Sequence, residues 1–253
     1  EGAALGTALA LLVTALLMLY FLCFRSPELG LRHRREKLFF TGDCLRRAFR
    51  IGLPMGCERI IMCGAQIMST VIVAPLGIYA IAANAFAITA ESLCYMPGYG
   101  IADAATTLVG QSLGAKRHDL ARSFARITVV MGMAVMTVMG AIMYLAAPLM
   151  IGVMTPVPEV VSLGVSILRI EAFAEPMFAA AIVAYGVFIG AGDTLVPATM
   201  NFVSIWAVRL TLAALLAPSM GLHGVWIAMC IELCFRGMIF LARMKWGRWI
   251  KRL

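Results

Sequence analysis

Seven apolar stretches, at about residues 2–24, 51–74, 80–112, 124–150, 160–190, 195–217 and 225–243, set the terms on which this chain can fold. A bilayer core of about 30 Å is crossed by roughly 20 helical residues, so each stretch is long enough to span one. Lipid offers no water to backbone polar groups, and only helices or a closed barrel satisfy them there. None of the seven shows the two-residue alternation of a barrel strand. The reading is an all-α polytopic membrane protein with about seven transmembrane helices. A composition of 62% hydrophobic and 13% charged residues agrees, being far from the soluble balance. The third and fifth stretches exceed the minimum length, which predicts tilt or kinks.

The net charge of +8 suggests nucleic acid until its placement is examined. Of the 21 Lys and Arg, eight lie in 25–50, four in 113–126 and five from 243 onward. Arg59, Arg169, Arg209 and Arg236 fall inside apolar stretches, and the linkers near 75–79, 151–159 and 218–224 hold none. Cytoplasmic loops concentrate Lys and Arg. The pattern therefore puts the 25–50 linker and the 244–253 tail in the cytoplasm of a multi-pass protein of the cell (inner) membrane, with the lipid bilayer and not nucleic acid as its partner. Leu38, Phe39, Phe40, Leu45 and Phe49 among the basic residues suit a helix on the inner leaflet, and equally a solvated connector. The chain begins at Glu1 with no charged leader of a signal peptide, which reads as the interior of a longer protein.

Seven cysteines and three histidines form no metal framework, and no cofactor is expected. Cys230 and Cys234 share a helix face but have no third ligand nearby in sequence, so apolar packing is the plainer reading. Eighteen methionines suit either an adaptable pocket or gap-filling in the core.

The chemistry lies in acids within oily helices, which are costly in lipid and mark ion or substrate paths. Glu171 and Glu175 stand one turn apart on one face, and Pro176 follows, removing a backbone donor and inviting a kink. That segment ends in Gly190-Ala191-Gly192, which permits a sharp reversal. Glu58 lies one turn after Pro54 in the second segment. Glu91 falls near mid-membrane and Asp103 near the inner surface. Each acid has a plainer reading as the partner of Arg59, Arg169 or Arg209. Glu232 and Arg236, four apart in the favoured order, read as a structural bridge.

Three patterns together resemble the multidrug and toxic compound extrusion (MATE) family of antiporters. They are Arg50-Ile51-Gly52-Leu53-Pro54 with Glu58, the run from Pro97 through Asp103 to Gly114-Ala115, and Glu175-Pro176 with Gly190-Ala191-Gly192-Asp193-Thr194 followed by Trp206 to Leu210. The resemblance covers about residues 1–245. It implies two six-helix lobes, of which this chain holds the last helix of the N-terminal lobe (1–24), a basic linker (25–50), a six-helix C-terminal lobe (51–243) and a tail, with the rest of the N-terminal lobe absent. It implies cation (H⁺ or Na⁺)/drug antiport by alternating access, not enzymatic catalysis, with cationic amphipathic small molecules as cargo. Glu58, Glu171 and Glu175, then Glu91 and Asp103, are the expected cation or substrate ligands, with Na⁺ conceivable at Glu58 and Glu175. Pro54, Pro176, Gly190, Gly192 and Arg209 are the expected structural residues. In well-studied branches of the family the corresponding acids fall at the places of Met62 and Phe178, about one turn from Glu58 and Glu175.

Two other functions fit parts of the sequence. A lipid-linked saccharide flippase of the same superfamily needs cationic groups for pyrophosphate, and intramembrane acids here outnumber arginines. An intramembrane aspartyl protease is suggested by Gly190-Ala191-Gly192-Asp193, but the second aspartate it needs has only Asp103 to supply it, and Asp193 also reads as a turn or N-cap residue.

Overall fold

The structure, a computed structural model, describes residues 2–25, 42–246 and 249–250, and these residues are helical wherever they are regular. The inner-leaflet segment and the far C-terminal basic residues expected from the sequence lie largely outside them. Contacts divide the chain into two compact units, Glu1–Arg47 and Ala48–Leu253. The first contains α1 (Gly2–Tyr20), which runs on as a π-helical turn through Phe21–Arg25.

The second unit is built from α2 (Gly42–Val73, which starts in the first unit), α3 (Ile78–Gly114), α4 (His118–Met154), α5 (Pro158–Glu171), α6 (Glu175–Gly190), α7 (Leu195–Val203), α8 (Leu210–Met220) and α9 (Leu222–Trp246). A π-helical segment, Ser204–Arg209, joins α7 to α8 in one continuous span. Among the described residues five helices are long and apolar enough to cross a membrane, and α5 with α6 makes a sixth, bent by 59°. The apolar part of α1, Ala4–Tyr20, is 17 residues long. Each apolar stretch of the sequence thus became a helix or a broken helix.

Two boundaries differ from expectation. α2 begins at Gly42, so the helix takes in residues 42–50 ahead of the apolar stretch, and Pro54 falls inside a helix and not in its first turn. The fifth span breaks at Ala172–Ala174, ahead of Pro176, because proline is well placed in the first turn of a new helix and poorly placed within one.

Helices in lipid gain nothing from hiding apolar surface from lipid, so close packing of small residues holds them together. On α3, Ala80, Ala83, Ala87, Ala90 and Cys94 recur every three or four residues and are all buried. α3 packs against α4, α5 and α6, and α6 against α9. Gly186 and Gly190 let α6 meet the α3 backbone, since an added Cβ would lie 2.5 Å from the Ala102 carbonyl and 2.4 Å from that of Thr106. Thr106 fixes the crossing by donating to the Gly186 carbonyl at 2.8 Å. The similar pairs Gly2/Gly6 and Gly52/Gly56 face open space among the described residues.

The buried apolar side chains form two main cores, one at each end of the bundle. One gathers Val73, Ala83, Ile151, Ile167 and Trp226, beside the linkers that lack basic residues. The other gathers Val109, Ala121, Val183, Phe188 and Phe240, towards the basic end. α2 joins the first core only at its C-terminal end, through Val73, and also meets the π segment and the start of α8 through Ala65, Ile205 and Leu210.

Candidate functional site

Between the two cores lies a belt of acids. On α3, Glu91 lies at the edge of the first core, between Ala90 and Cys94, and on α9 Glu232 comes between Ala228 of the first core and Leu233 of the second. Glu171 and Glu175 flank the α5–α6 break at the same level. Glu171, Glu175 and Glu232 are fully buried and Glu91 is 5% exposed. Glu91, Glu171 and Glu175 are close enough for their charges to act on one another, and Arg209 is within range of Glu91 and Glu171.

These acids are held very differently. Ser204 donates to Glu232 at 2.6 Å, Arg209 Nε lies 3.1 Å from its Oε2, and Arg236 Nε lies 3.0 Å from its Oε1. The π segment is what lets Ser204 and Arg209 meet one carboxylate. Residues five apart stand about 140° apart around an α-helix, and are brought closer to one face where the hydrogen bonds span five residues. Glu171 and Glu175 have no such support. All four of their carboxyl oxygens lack a hydrogen-bond partner among the described residues. Gly140 of α4 makes room for them: a Cβ there would lie 2.9 Å from the Ala172 carbonyl and 3.1 Å from Glu175 Cβ. Pro176 has no N–H to offer that carbonyl.

A cavity of about 330 Å³ opens beside the belt, between α2, α3, α6, α7 and α9. Met55, Met62, Phe178 and Ile182 give it apolar surface, and Glu58, Arg59, Asp103 and Arg236 give it charge. Glu58 bridges two helices here. Tyr185 Oη of α6 donates to its Oε2, and Asn201 Nδ2 of α7 donates to its Oε1 at 2.7 Å. Arg236 lies over the Phe178 ring, 5.6 Å from its centroid.

The sequence-predicted residues therefore divide into two places. Glu58 and Asp103 are on the cavity wall, while Glu91, Glu171 and Glu175 are in the belt. Among the described residues, the ion pairs weighed for Glu58, Glu171 and Glu175 are not formed. Arg209 belongs to Glu232, Arg169 lies over Tyr144 at 5.2 Å, and exposed Arg59 lines the cavity. The Glu232–Arg236 bridge is present as the spacing predicts. Gly192 makes the reversal after α6 with φ +72°. Asp193 is neither an N-cap nor a free acid, because it is buried in an ion pair with Arg243. Among the described residues no three His, Cys, Asp or Glu converge closely enough to hold a metal ion. Tyr185 and Asn201 had no assigned role in the sequence, for their partner is 127 and 143 residues away.

The comparisons with known proteins bear on this arrangement. The MatE family profile matches residues 54–215, the stretch that carries most of the cavity and of the belt. A probable multidrug resistance protein NorM of Thermotoga maritima is 29% identical over 256 residues, covering 100% of this chain and 54% of that protein. The crystal structure of a MATE protein in complex with MaL6 superposes with a TM-score of 0.85 at 20% identity, covering 98% of this chain and 55% of that one. The Vibrio cholerae MATE transporter VcmN in its bent form gives 0.76 at 19% identity, covering 81% and 47%. The chain spans about half the length of the curated relatives it matches. A profile match over most of the chain makes the assignment: this is a multi-pass membrane protein that belongs to the MATE family of transporters, not to a family of enzymes.

Proposed function

We propose that this chain is the C-terminal half of a cation/drug antiporter: one helix (1–24) of an N-terminal lobe, a basic cytoplasmic linker and a six-helix lobe (51–243). The two lobes rock about a site near mid-membrane in an inner cell membrane. Cargo sits in the cavity, where Glu58 offers a negative charge to a cationic amphipathic molecule. The coupling cation, H⁺ or Na⁺, is held in the belt by Glu171 and Glu175, with Glu91 alongside.

One observation carries this reading. Glu171 and Glu175 are fully buried, and no donor reaches their oxygens among the described residues. An unpaired buried charge is expensive, and binding a proton or a cation relieves the expense. The pair is also unequal. Glu175 opens α6, where the helix dipole favours negative charge, whereas Glu171 closes α5, where it does not. Loading and release of one positive charge there changes the field felt in the cavity, which links cargo to cation. The flippase reading is not favoured, since the cavity's two arginines are matched by two carboxylates.

The test is Glu175→Gln. In the full-length transporter, export of a cationic dye from cells should be lost while membrane abundance and thermal stability in detergent stay unchanged. Normal export would remove Glu175 from coupling. The orientation is checked separately: a single cysteine at position 248 should resist an impermeant reagent in intact cells, and labelling there would reverse the topology.

A further inference from the structure

The cavity has a cationic end that the export of cations does not require. Phe178 and Tyr185 both line it and lie seven residues apart on α6. Seven residues are two turns, which puts them on one face about 10 Å apart. Glu58 is held at the Tyr185 level and Arg236 stands at the Phe178 level. Between them the face shows Ala181 and Ile182.

Arg236 is not used up by its own partner. Glu232 is shared between Arg236 and Arg209, so one carboxylate serves two guanidinium groups. Nε and Nη2 of Arg236 face Glu232, and Nη1 has no hydrogen bond among the described residues. Glu91 is near enough to attenuate the surplus charge, yet forms no ion pair with it among the described residues. The guanidinium plane is fixed by Glu232 on one side and the Phe178 ring on another, and a planar fork held in place is the group best suited to a carboxylate.

We infer that Arg236 is a specificity-determining residue that receives an acidic group of the cargo, so that the cavity fits amphipathic molecules carrying a basic group at the Glu58 end and a carboxylate about 10 Å away. Cargo with only a positive charge uses one end; cargo with both uses both. The inference rests on the cavity being the cargo site, as proposed above.

The experiment uses rhodamine B, which has a free carboxylate, and its ethyl ester, which keeps the cationic dye and lacks the acid. Binding of each to the purified protein in detergent is followed by fluorescence anisotropy. Arg236→Gln should weaken rhodamine B about tenfold or more, the scale of a hydrogen bond to a charged group. The ester should change less than twofold, and Arg236→Lys should restore only part of the rhodamine B affinity, because a point charge replaces the charge but not the planar fork. Glu232 keeps Arg209 in the Gln variant, so the fold is not left with a stranded carboxylate, and a thermal melt checks this. Equal losses for the two dyes, or no loss for rhodamine B, would overturn the inference while leaving the cavity as cargo site. If the unaltered protein binds neither dye, the cavity reading fails and the inference falls with it.

Discussion

Glu232 and Glu175 are both fully buried, both set between the same two apolar cores, and held in opposite ways. Glu232 is met by Ser204, Arg209 and Arg236, and among the described residues Glu175 is met by nothing that can donate. Burial alone therefore says little about what an intramembrane acid does. The number of donors around it says more. A carboxylate whose partners are fixed protein groups cannot exchange a ligand without breaking the fold, and one whose partners are missing can only be completed by something that comes and goes. The arginine side of the belt is scaffold, and the bare side is working surface.

The largest effect should come from breaking the scaffold side. Glu232→Leu strands two guanidinium groups in the bundle interior, and loss of one partner from a buried ion pair costs about 3–5 kcal/mol. Thermal unfolding in detergent, or loss of protein from the membrane, would show it. A Glu232→Leu protein as stable as the original would mean that Arg209 and Arg236 are satisfied without the acid, and the contrast with Glu175 would disappear.

A smaller effect is expected from crowding the bare side. Gly140→Ala puts a methyl within 2.9 Å of the Ala172 carbonyl and 3.1 Å of Glu175 Cβ. Backbone cannot yield as a flexible side chain does, so α4 must move away from the break, at about 1–3 kcal/mol, the usual cost of overpacking. Dye export should fall with stability in this variant, whereas Glu175→Gln separates the two. Unchanged stability would show that the α5–α6 break is looser than its packing indicates.

Glu58 is an intermediate case, with both oxygens met by neutral donors. Tyr185→Phe removes one of them, worth about 1 kcal/mol. Because α2 rests on the bundle through few contacts, the loss should appear locally. Hydrogen exchange should quicken in residues 55–65 and stay unchanged in α3, α6 and α9. Exchange that is the same everywhere would show that Tyr185 does not anchor α2.

What the sequence disclosed of all this follows from the range of each signal. Hydropathy is local and strong, so the seven segments were legible from Gly2 to Trp246. The start of α2 was not, because Asp43, Arg46 and Arg47 interrupt the apolar run without interrupting the helix. The Glu232–Arg236 bridge was legible because four residues bring two side chains to one helix face. Arg209 was placed as structural, but its partner was hidden, since a π segment leaves no periodic mark and Glu232 is 23 residues on. The acids themselves were visible as charges in oil. Which of them had donors was invisible, for the donors to Glu58 come from α6 and α7 and the gap around Glu175 is shaped by Gly140 on α4.

The smallest effect is the most telling. Glu171→Gln exchanges one buried polar group, without a hydrogen-bond partner among the described residues, for another of the same shape, and no arginine or hydroxyl among them loses a partner. If Glu171 is neutral in the resting protein, the amide is an equal substitute. If it carries charge, the amide removes a cost at the C-terminal end of α5, where a negative charge opposes the helix dipole. In neither case does stability fall, so the expected change is within about 0.5 kcal/mol of zero or slightly favourable, the range of substitutions that break no buried interaction. Glu171→Gln and Glu232→Gln are the same chemical change at the same burial, which makes the pair a controlled comparison. Melting the two side by side in detergent should show Glu232→Gln well below the original protein and Glu171→Gln level with it. A loss of more than about 2 kcal/mol for Glu171→Gln would reveal a charged partner for that residue, and the belt would then be scaffold on both sides.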